Sequence, residues 1–157
     1  MTTSEHNFSN RWVLVDGYSV LHQWPRLQKI AGRSLEVRRS ALIALLEGYA
    51  DHSGHRVTIV FDAYAVKQKP ETADRPRGVE IVYSPSGKTA DDVIERMVGE
   101  SEQRRLILVV TSDNVERQVV ETLGAQSVSA ELFELEVAAE LRELERLIRE
   151  HSHRSRM

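Results

Sequence analysis

Four short runs dominate the pattern of this chain: WVLV at 12–15, VTIVF at 57–61, VEIVY at 79–83 and LILVV at 106–110. They are rich in β-branched residues and apolar at mostly consecutive positions, whereas a strand with one wet face would alternate. Strands buried on both faces belong to a parallel sheet covered by helices on each side. The intervening segments agree. Residues 34–51 carry Leu35, Ala41, Leu42, Leu45 and Leu46 at helical spacing, with Gly54 just past the end. Thr89 and Asp92 make a capping-box pattern at the start of another helix, and Asp113 and Glu116 repeat it ahead of Val119, Val120 and Leu123. Ser129 opens a last helix over 129–150, whose apolar positions Leu132, Leu135, Ala139, Leu141, Leu144 and Leu147 only approximate one stripe. It docks on the sheet or partly covers a partner. With a weaker fifth strand at 125–128, the alternation predicts an α/β three-layer domain around a central parallel sheet.

The chain of 157 residues, 41% hydrophobic and 29% charged, suits one domain over 1–157. Residues 1–10 and the charged tail 151–157, HSHRSRM, are expected to be flexible. No apolar run is long enough to span a bilayer. The polar start MTTSEHNFSN lacks a signal peptide's apolar stretch. With no cysteine, disulfides and thiolate metal sites are excluded, which fits a reducing cytoplasm. The net charge of −3 is uneven: segment 129–150 holds seven acids against three bases, and residues 1–128 hold 17 acids against 16 bases. Global charge therefore does not exclude a nucleic-acid partner.

The acids fall at telling places. Asp16 and Asp62 directly follow the first and second strands, and Asp113 stands three residues past the fourth. Asp91 and Asp92 lie in the first turn of the helix after the third. In an open parallel sheet these positions share one edge, the carboxyl ends of the strands, where such folds bind ligands. A strand order of 3-2-1-4-5 brings Asp62, Asp16 and Asp113 together, with Asp91 entering from a neighbouring helix. Carboxylates so crowded repel unless a cation neutralises them. A hard divalent ion, Mg²⁺ or Mn²⁺, prefers such oxygen ligands and commonly bridges them to a phosphate. Phosphodiester hydrolysis is the chemistry this arrangement serves best.

Plainer readings stand beside these. Asp113 is also a natural helix N-cap, Asp92 is better explained as the capping partner of Thr89, and a first-turn Asp91 favours the helix dipole. Asp16 and Asp62 are harder to dismiss, because a charge directly after a buried strand needs a partner. Ser112, beside Asp113, is a candidate to bond a water or phosphate, or simply a turn residue; Thr111 is a weaker one. Lys67, Lys69, Arg75 and Arg77, in the long loop 63–78, and Lys88 border the predicted site. They are candidates for RNA phosphate contact, against ordinary solubility. Tyr18 and Tyr64 are candidates to stack on an unpaired base. Trp24, Trp12 and Tyr49 read as core, and His22 as a structural or surface histidine.

Val13-Leu14-Val15-Asp16-Gly17-Tyr18, Val60-Phe61-Asp62-Ala63-Tyr64, Val82-Tyr83-Ser84 with Thr89-Ala90-Asp91, Val109-Val110-Thr111-Ser112-Asp113 and Ser129-Ala130-Glu131-Leu132 occur in that order. Together they resemble the YacP-like NYN-domain proteins, a branch of the PIN-like nucleases, from about residue 12 to residue 140. The resemblance implies a PIN-like α/β sandwich and a metal-dependent endoribonuclease of the cytoplasm acting on messenger RNA, with the ribosome as a candidate partner. It places the family's acidic site on Asp16, Asp62, Asp91 and Asp113. One position departs: the family has asparagine after Asp-Gly-Tyr, and here Ser19 offers a shorter hydroxyl. Ser19 remains able to orient Asp16 or hold a water. The departure also favours an alternative, an RNA- or ribosome-binding protein with little catalysis. A haloacid-dehalogenase-type phosphohydrolase fits less well, since Tyr18 stands where that family has its second aspartate.

Overall fold

The computed structural model describes residues 11–30, 34–63 and 78–155. In chain order the elements are β1 (Trp12–Asp16), α1 (Gly17–Gln23), α2 (Pro25–Gln28), α3 (Leu35–Ser53), β2 (Arg56–Phe61) and β3 (Val79–Tyr83). There follow α4 (Ala90–Glu100), β4 (Ile107–Val110), α5 (Asn114–Thr122), β5 (Gln126–Val128) and α6 (Ala130–Ser155). The five strands form one sheet in the order β3-β2-β1-β4-β5. Every pairing is parallel, with Val15 of β1 opposite Ile59 of β2 and Val110 of β4.

The strands carry apolar residues on both faces because both faces are covered. On β1, Val13 and Val15 point to one side and Leu14 to the other, and all three are fully buried. Val13 and Val15 join Leu42, Leu46, Tyr49, Phe133 and Val137 in a core built by α1, α3 and α6. Leu14 joins Val60, Val109, Ile94, Val98 and Val120 in a second core built by α4 and α5. Each fully buried aliphatic side chain contributes about 1.5–3 kcal/mol. Trp24 is buried in the first core, where its indole N–H donates to the Ala130 carbonyl at 2.7 Å. With α1 and α3 on one face and α4 on the other, the connections diverge at β1, and a crevice opens at its carboxyl end.

Several local features differ from the sequence reading. The segment after Asp16 is helical at once, and Gly17 there is a matter of space. A Cβ on Gly17 would be driven into the Phe61 ring. Trp12 is only half-buried: its indole N–H donates to Thr58 Oγ1 at 2.9 Å, and the Arg56 guanidinium lies 3.9 Å above the ring. Leu106 belongs to a 3₁₀ turn, Arg104–Leu106, that leads into β4. The tail expected to be flexible from residue 151 continues α6 to Ser155. No glycine or proline interrupts this helix, and Arg146 pairs with Glu143 and Glu150 along its exposed face. The helix docks through Ala130, Phe133, Val137 and Leu141, leaving Leu132 and Leu135 exposed. Glu136 and Glu140 tie it to α3 through Tyr49 and His52. Among the described residues no helix is long and apolar enough to cross a membrane.

Candidate active site

The carboxyl end of β1 delivers Asp16 into the crevice. It is 9% exposed, and its carboxylate is held by hydroxyls: Ser19 Oγ donates to Oδ2 at 2.8 Å and Thr111 Oγ1 donates to Oδ2 at 3.3 Å. Behind these donors stand backbone amides. Ser112 N–H donates to Ser19 Oγ at 3.2 Å, and Asp113 N–H donates to Thr111 Oγ1 at 3.2 Å. Two amides thus orient two hydroxyls, which orient one carboxylate between β1 and the loop after β4. Burial raises the Asp16 carboxyl above its ordinary range; Ser19 and Thr111 oppose that rise, and Asp62 adds to it.

The other acids reach the same place at or against helix N-termini. Asp62, just past β2, accepts from the Ala90 N–H at the start of α4 at 2.7 Å. Ser84 anchors the turn beside it, its Oγ accepting from Ala63 N–H at 3.0 Å. Asp113 caps α5, its Oδ1 accepting from Val115 and Glu116 N–H at 2.9 and 3.3 Å. Asp91, in the first turn of α4, is pushed up to about 6, by burial first and then by Asp16, Asp113, Glu95 and Asp62. Asp16, Asp62, Asp91 and Asp113 line one cavity of about 390 Å³ together with Tyr18, Ser19, His22, Gln23, Thr89 and Ser112. Among the described residues, no lysine or arginine is in that lining.

The remaining sequence candidates divide. Ser112 lines the cavity, and its buried Oγ has no hydrogen-bond partner. Asp92 does not join it. It is exposed and completes the capping box with Thr89, accepting from Thr89 N–H at 3.0 Å while Thr89 Oγ1 accepts from Asp92 N–H at 3.1 Å. Lys88 is exposed beside the site and outside the lining. Lys67, Lys69, Arg75, Arg77 and Tyr64 lie outside the described residues. Tyr18 is half-buried, its ring edge-on to Phe61 at 5.5 Å, so its face is committed to the core as much as to a ligand.

Two features escaped the sequence reading. His22 stands at the cavity rim one helical turn beyond Tyr18. Glu116 occupies a capping-box position, yet it turns inward instead of bonding Asp113 N–H, which Thr111 already satisfies. It is 3% exposed, and one carboxyl oxygen has no partner. Burial and the neighbouring Glu95 push its carboxyl well above the carboxylate range. Only the spacing of Glu116 one turn after Asp113 hinted at it.

The sequence profile of the YacP-like NYN domain matches residues 13–157. The chain belongs to the YacP-like NYN-domain family. It is 35% identical over 140 residues to the uncharacterized protein YacP of Bacillus subtilis strain 168, a match covering 87% of this chain and 81% of that one. It superposes on the crystal structure of Rae1 (YacP) from Bacillus subtilis with a TM-score of 0.80 and 32% identity, over 91% of this chain and 82% of that one. A tryptophan-to-leucine mutant of the same protein gives a TM-score of 0.77 over 91% of this chain and 84% of that one. The five-stranded order 3-2-1-4-5 read from the sequence is the one observed. Membership of the NYN domain places this chain among proteins of PIN-like nuclease fold, a group whose work is on RNA.

The donor set suits a hard divalent cation. Among the described residues four carboxylates share one cavity without a lining cation, and after burial the charges of Asp16, Asp113 and Asp62 help to raise the Asp91 carboxyl. As the side chains stand, no group of three or more acidic or histidine residues converges closely enough to hold an ion, among the described residues. Asp62 and Asp113 currently spend an oxygen on helix N-termini. Each retains a second oxygen that can turn toward an ion.

Proposed function

We propose that this chain is a divalent-metal-dependent endoribonuclease that hydrolyses phosphodiester bonds in single-stranded RNA. The observation that supports it best is the convergence of four strand-end and helix-start carboxylates on one cavity in an NYN domain. Asp16, Asp62, Asp91 and Asp113 would hold Mg²⁺ or Mn²⁺. A bound ion of this kind would supply Lewis-acid stabilisation of phosphoryl charge and a lowered pKa for an attacking water. The chain's own groups do the positioning. Ser19 and Thr111 fix Asp16 Oδ2, so the most buried ligand arrives in a set orientation. The hydroxyls of Ser112 and Thr89 line the cavity as donors for phosphate oxygens. Ser19, shorter than the family's asparagine, still makes the bond to Asp16 that this role requires. Messenger RNA on the ribosome is the substrate the family resemblance suggests.

A second reading is an RNA-binding protein without catalysis. The lack of a ready-made triad of ligands among the described residues favours it. Incubating a long single-stranded RNA with Mg²⁺ separates the two. The wild type should cleave, chelation should stop it, and Asp16→Asn and Asp91→Asn should lower the rate by at least about 100-fold, the loss typical of a disabled metal or electrostatic centre. Cleavage by both variants at the wild-type rate would remove the assignment. Binding without cleavage by the wild type would establish the second reading.

A further inference from the structure

The face of α1 that stays out of the core belongs to the cavity. Gly17, Val20 and Leu21 are buried, and the other four residues of the helix, Tyr18, Ser19, His22 and Gln23, all line the cavity. Ser19 holds Asp16, which fixes one end of this face at the acids. His22 and Gln23 stand one turn further along the helix, about 5.4 Å, and both are exposed. Among the described residues no hydrogen bond or ion pair engages either side chain; His22 gives only its backbone carbonyl, to the Gln28 amide. The His22 ring lies 6.3 Å from the Tyr18 ring and 32° from parallel, and Phe61 packs against Tyr18 at 5.5 Å. The cavity thus has two chemical ends. Four carboxylates and the hydroxyls of Thr89 and Ser112 present oxygen alone, and among the described residues every side-chain nitrogen in the lining belongs to His22 and Gln23.

We propose that His22 and Gln23 form a nucleobase subsite: the imidazole stacks on one unpaired base beside the scissile phosphate, and the Gln23 amide bonds that base's edge. This rests on the reading of the cavity as an RNA site. A phosphate held at the acids carries its base within about one helical turn, the distance that separates His22 from Ser19. Carboxylates suit the metal and offer a base little, because they accept hydrogen bonds and do not donate them. A base edge mixes donors and acceptors, and an amide matches it because it carries both. An aromatic face suits any unpaired base, and histidine is among the side chains that supply one. With its ring nitrogens unengaged by any described group, His22 can meet a base without breaking a hydrogen bond of the fold.

Stacking needs no metal, so the test is binding of a labelled 12-nucleotide single-stranded RNA in EDTA, where cleavage is absent. His22→Ala should weaken binding about tenfold and leave the slope of log affinity against log salt unchanged, and His22→Phe should keep most of the affinity. In RNAs with one abasic position moved along the strand, one position should cost the wild type as much as His22→Ala does, and cost that variant nothing further. At that position Gln23→Leu should level the affinities for the four bases. Both residues are exposed, so neither change disturbs the core. Wild-type affinity in His22→Ala would overturn the proposal, as would losses that add at every abasic position. A slope flattened by about 0.7 would overturn it too, since that marks a lost phosphate contact. A base preference that survives Gln23→Leu would remove Gln23 from the subsite, and wild-type protein that binds no RNA in EDTA would remove the subsite altogether. Wild-type protein that binds RNA through His22 but never cleaves it with Mg²⁺ would defeat the endoribonuclease reading alone. Cleavage lost in Asp16→Asn, by a protein whose RNA binding is indifferent to His22→Ala, would defeat this proposal alone.

Discussion

Replacing Asp91 by asparagine should make the protein more stable, although it disables the proposed site. The Asp91 carboxyl is lifted from 3.8 to about 6 by burial and by the charges of Asp16, Asp113, Glu95 and Asp62. A shift of that size corresponds to about 3 kcal/mol in full. The side chain is only partly buried, so screening by water and salt reduces this to about 1–2 kcal/mol. The sign follows from the raised value. Below pH 3.8 the carboxyl is neutral in the folded and unfolded chains, and no penalty exists. Above about 6 it is charged in both, and the folded state bears the whole repulsion. Wild-type stability therefore falls across that window, whereas asparagine carries no charge to repel.

In a chain of this length about 1 kcal/mol moves the melting temperature by roughly 2–4 °C, so Asp91→Asn should melt about 3–6 °C higher at pH 8 in EDTA. The gain should shrink to about half by pH 5 and about a fifth by pH 4, as both states approach neutrality. Thermal unfolding followed by circular dichroism measures it. Mg²⁺ should then raise the wild-type melting temperature more than that of Asp91→Asn, because the wild type has the larger charge to neutralise. A variant no more stable than wild type at pH 8, or equally stabilised at pH 4 and pH 8, would refute the claim that mutual repulsion governs this cavity.

Ser19→Ala removes the donor to Asp16 Oδ2 and the acceptor of Ser112 N–H. It should cost about 1–3 kcal/mol in chemical denaturation and speed amide exchange at Ser112. Gly17→Ala drives a methyl into the Phe61 ring and should destabilise by about 1–3 kcal/mol, with Phe61→Leu in the same chain recovering part of the loss in the same unfolding assay. Glu116→Gln keeps the shape of a side chain whose carboxyl sits above its usual range, so its advantage over wild type in melting temperature should grow as pH rises from 5 to 9.

The fold was legible because its signals are mutually consistent. Four both-faces-apolar runs and three capped helices leave few topologies other than a covered parallel sheet, and carboxylates at successive strand ends mark its working edge. What escaped was decided by contacts distant in sequence. Nothing beside Gly17 in the sequence shows that space fixes it; Phe61, 44 positions away, does. Leu132 and Leu135 are as apolar as Phe133 and Val137, and only the position of α3 determines which pair is buried. Glu116 reads as a cap because its inward turn depends on Thr111 having already taken the amide that a capping glutamate would accept from.

The four carboxylates are not equivalent, and the difference explains how the cavity exists before any ion enters it. Asp16 has two hydroxyl donors, Asp62 has the first amide of α4, and Asp113 has two amides of α5. These three carry compensation supplied by the fold itself, since helix N-termini and oriented hydroxyls both favour negative charge. Asp91 has no hydrogen bond of this kind among the described residues, and the repulsion of the others falls on it. The scaffold thus gives three of the charges hydrogen-bond compensation, incompletely at Asp16, whose burial still raises its carboxyl, and among the described residues gives the fourth none. A divalent cation gains most by approaching that fourth group, so Asp91 is where ion affinity and fold stability should trade against each other most directly.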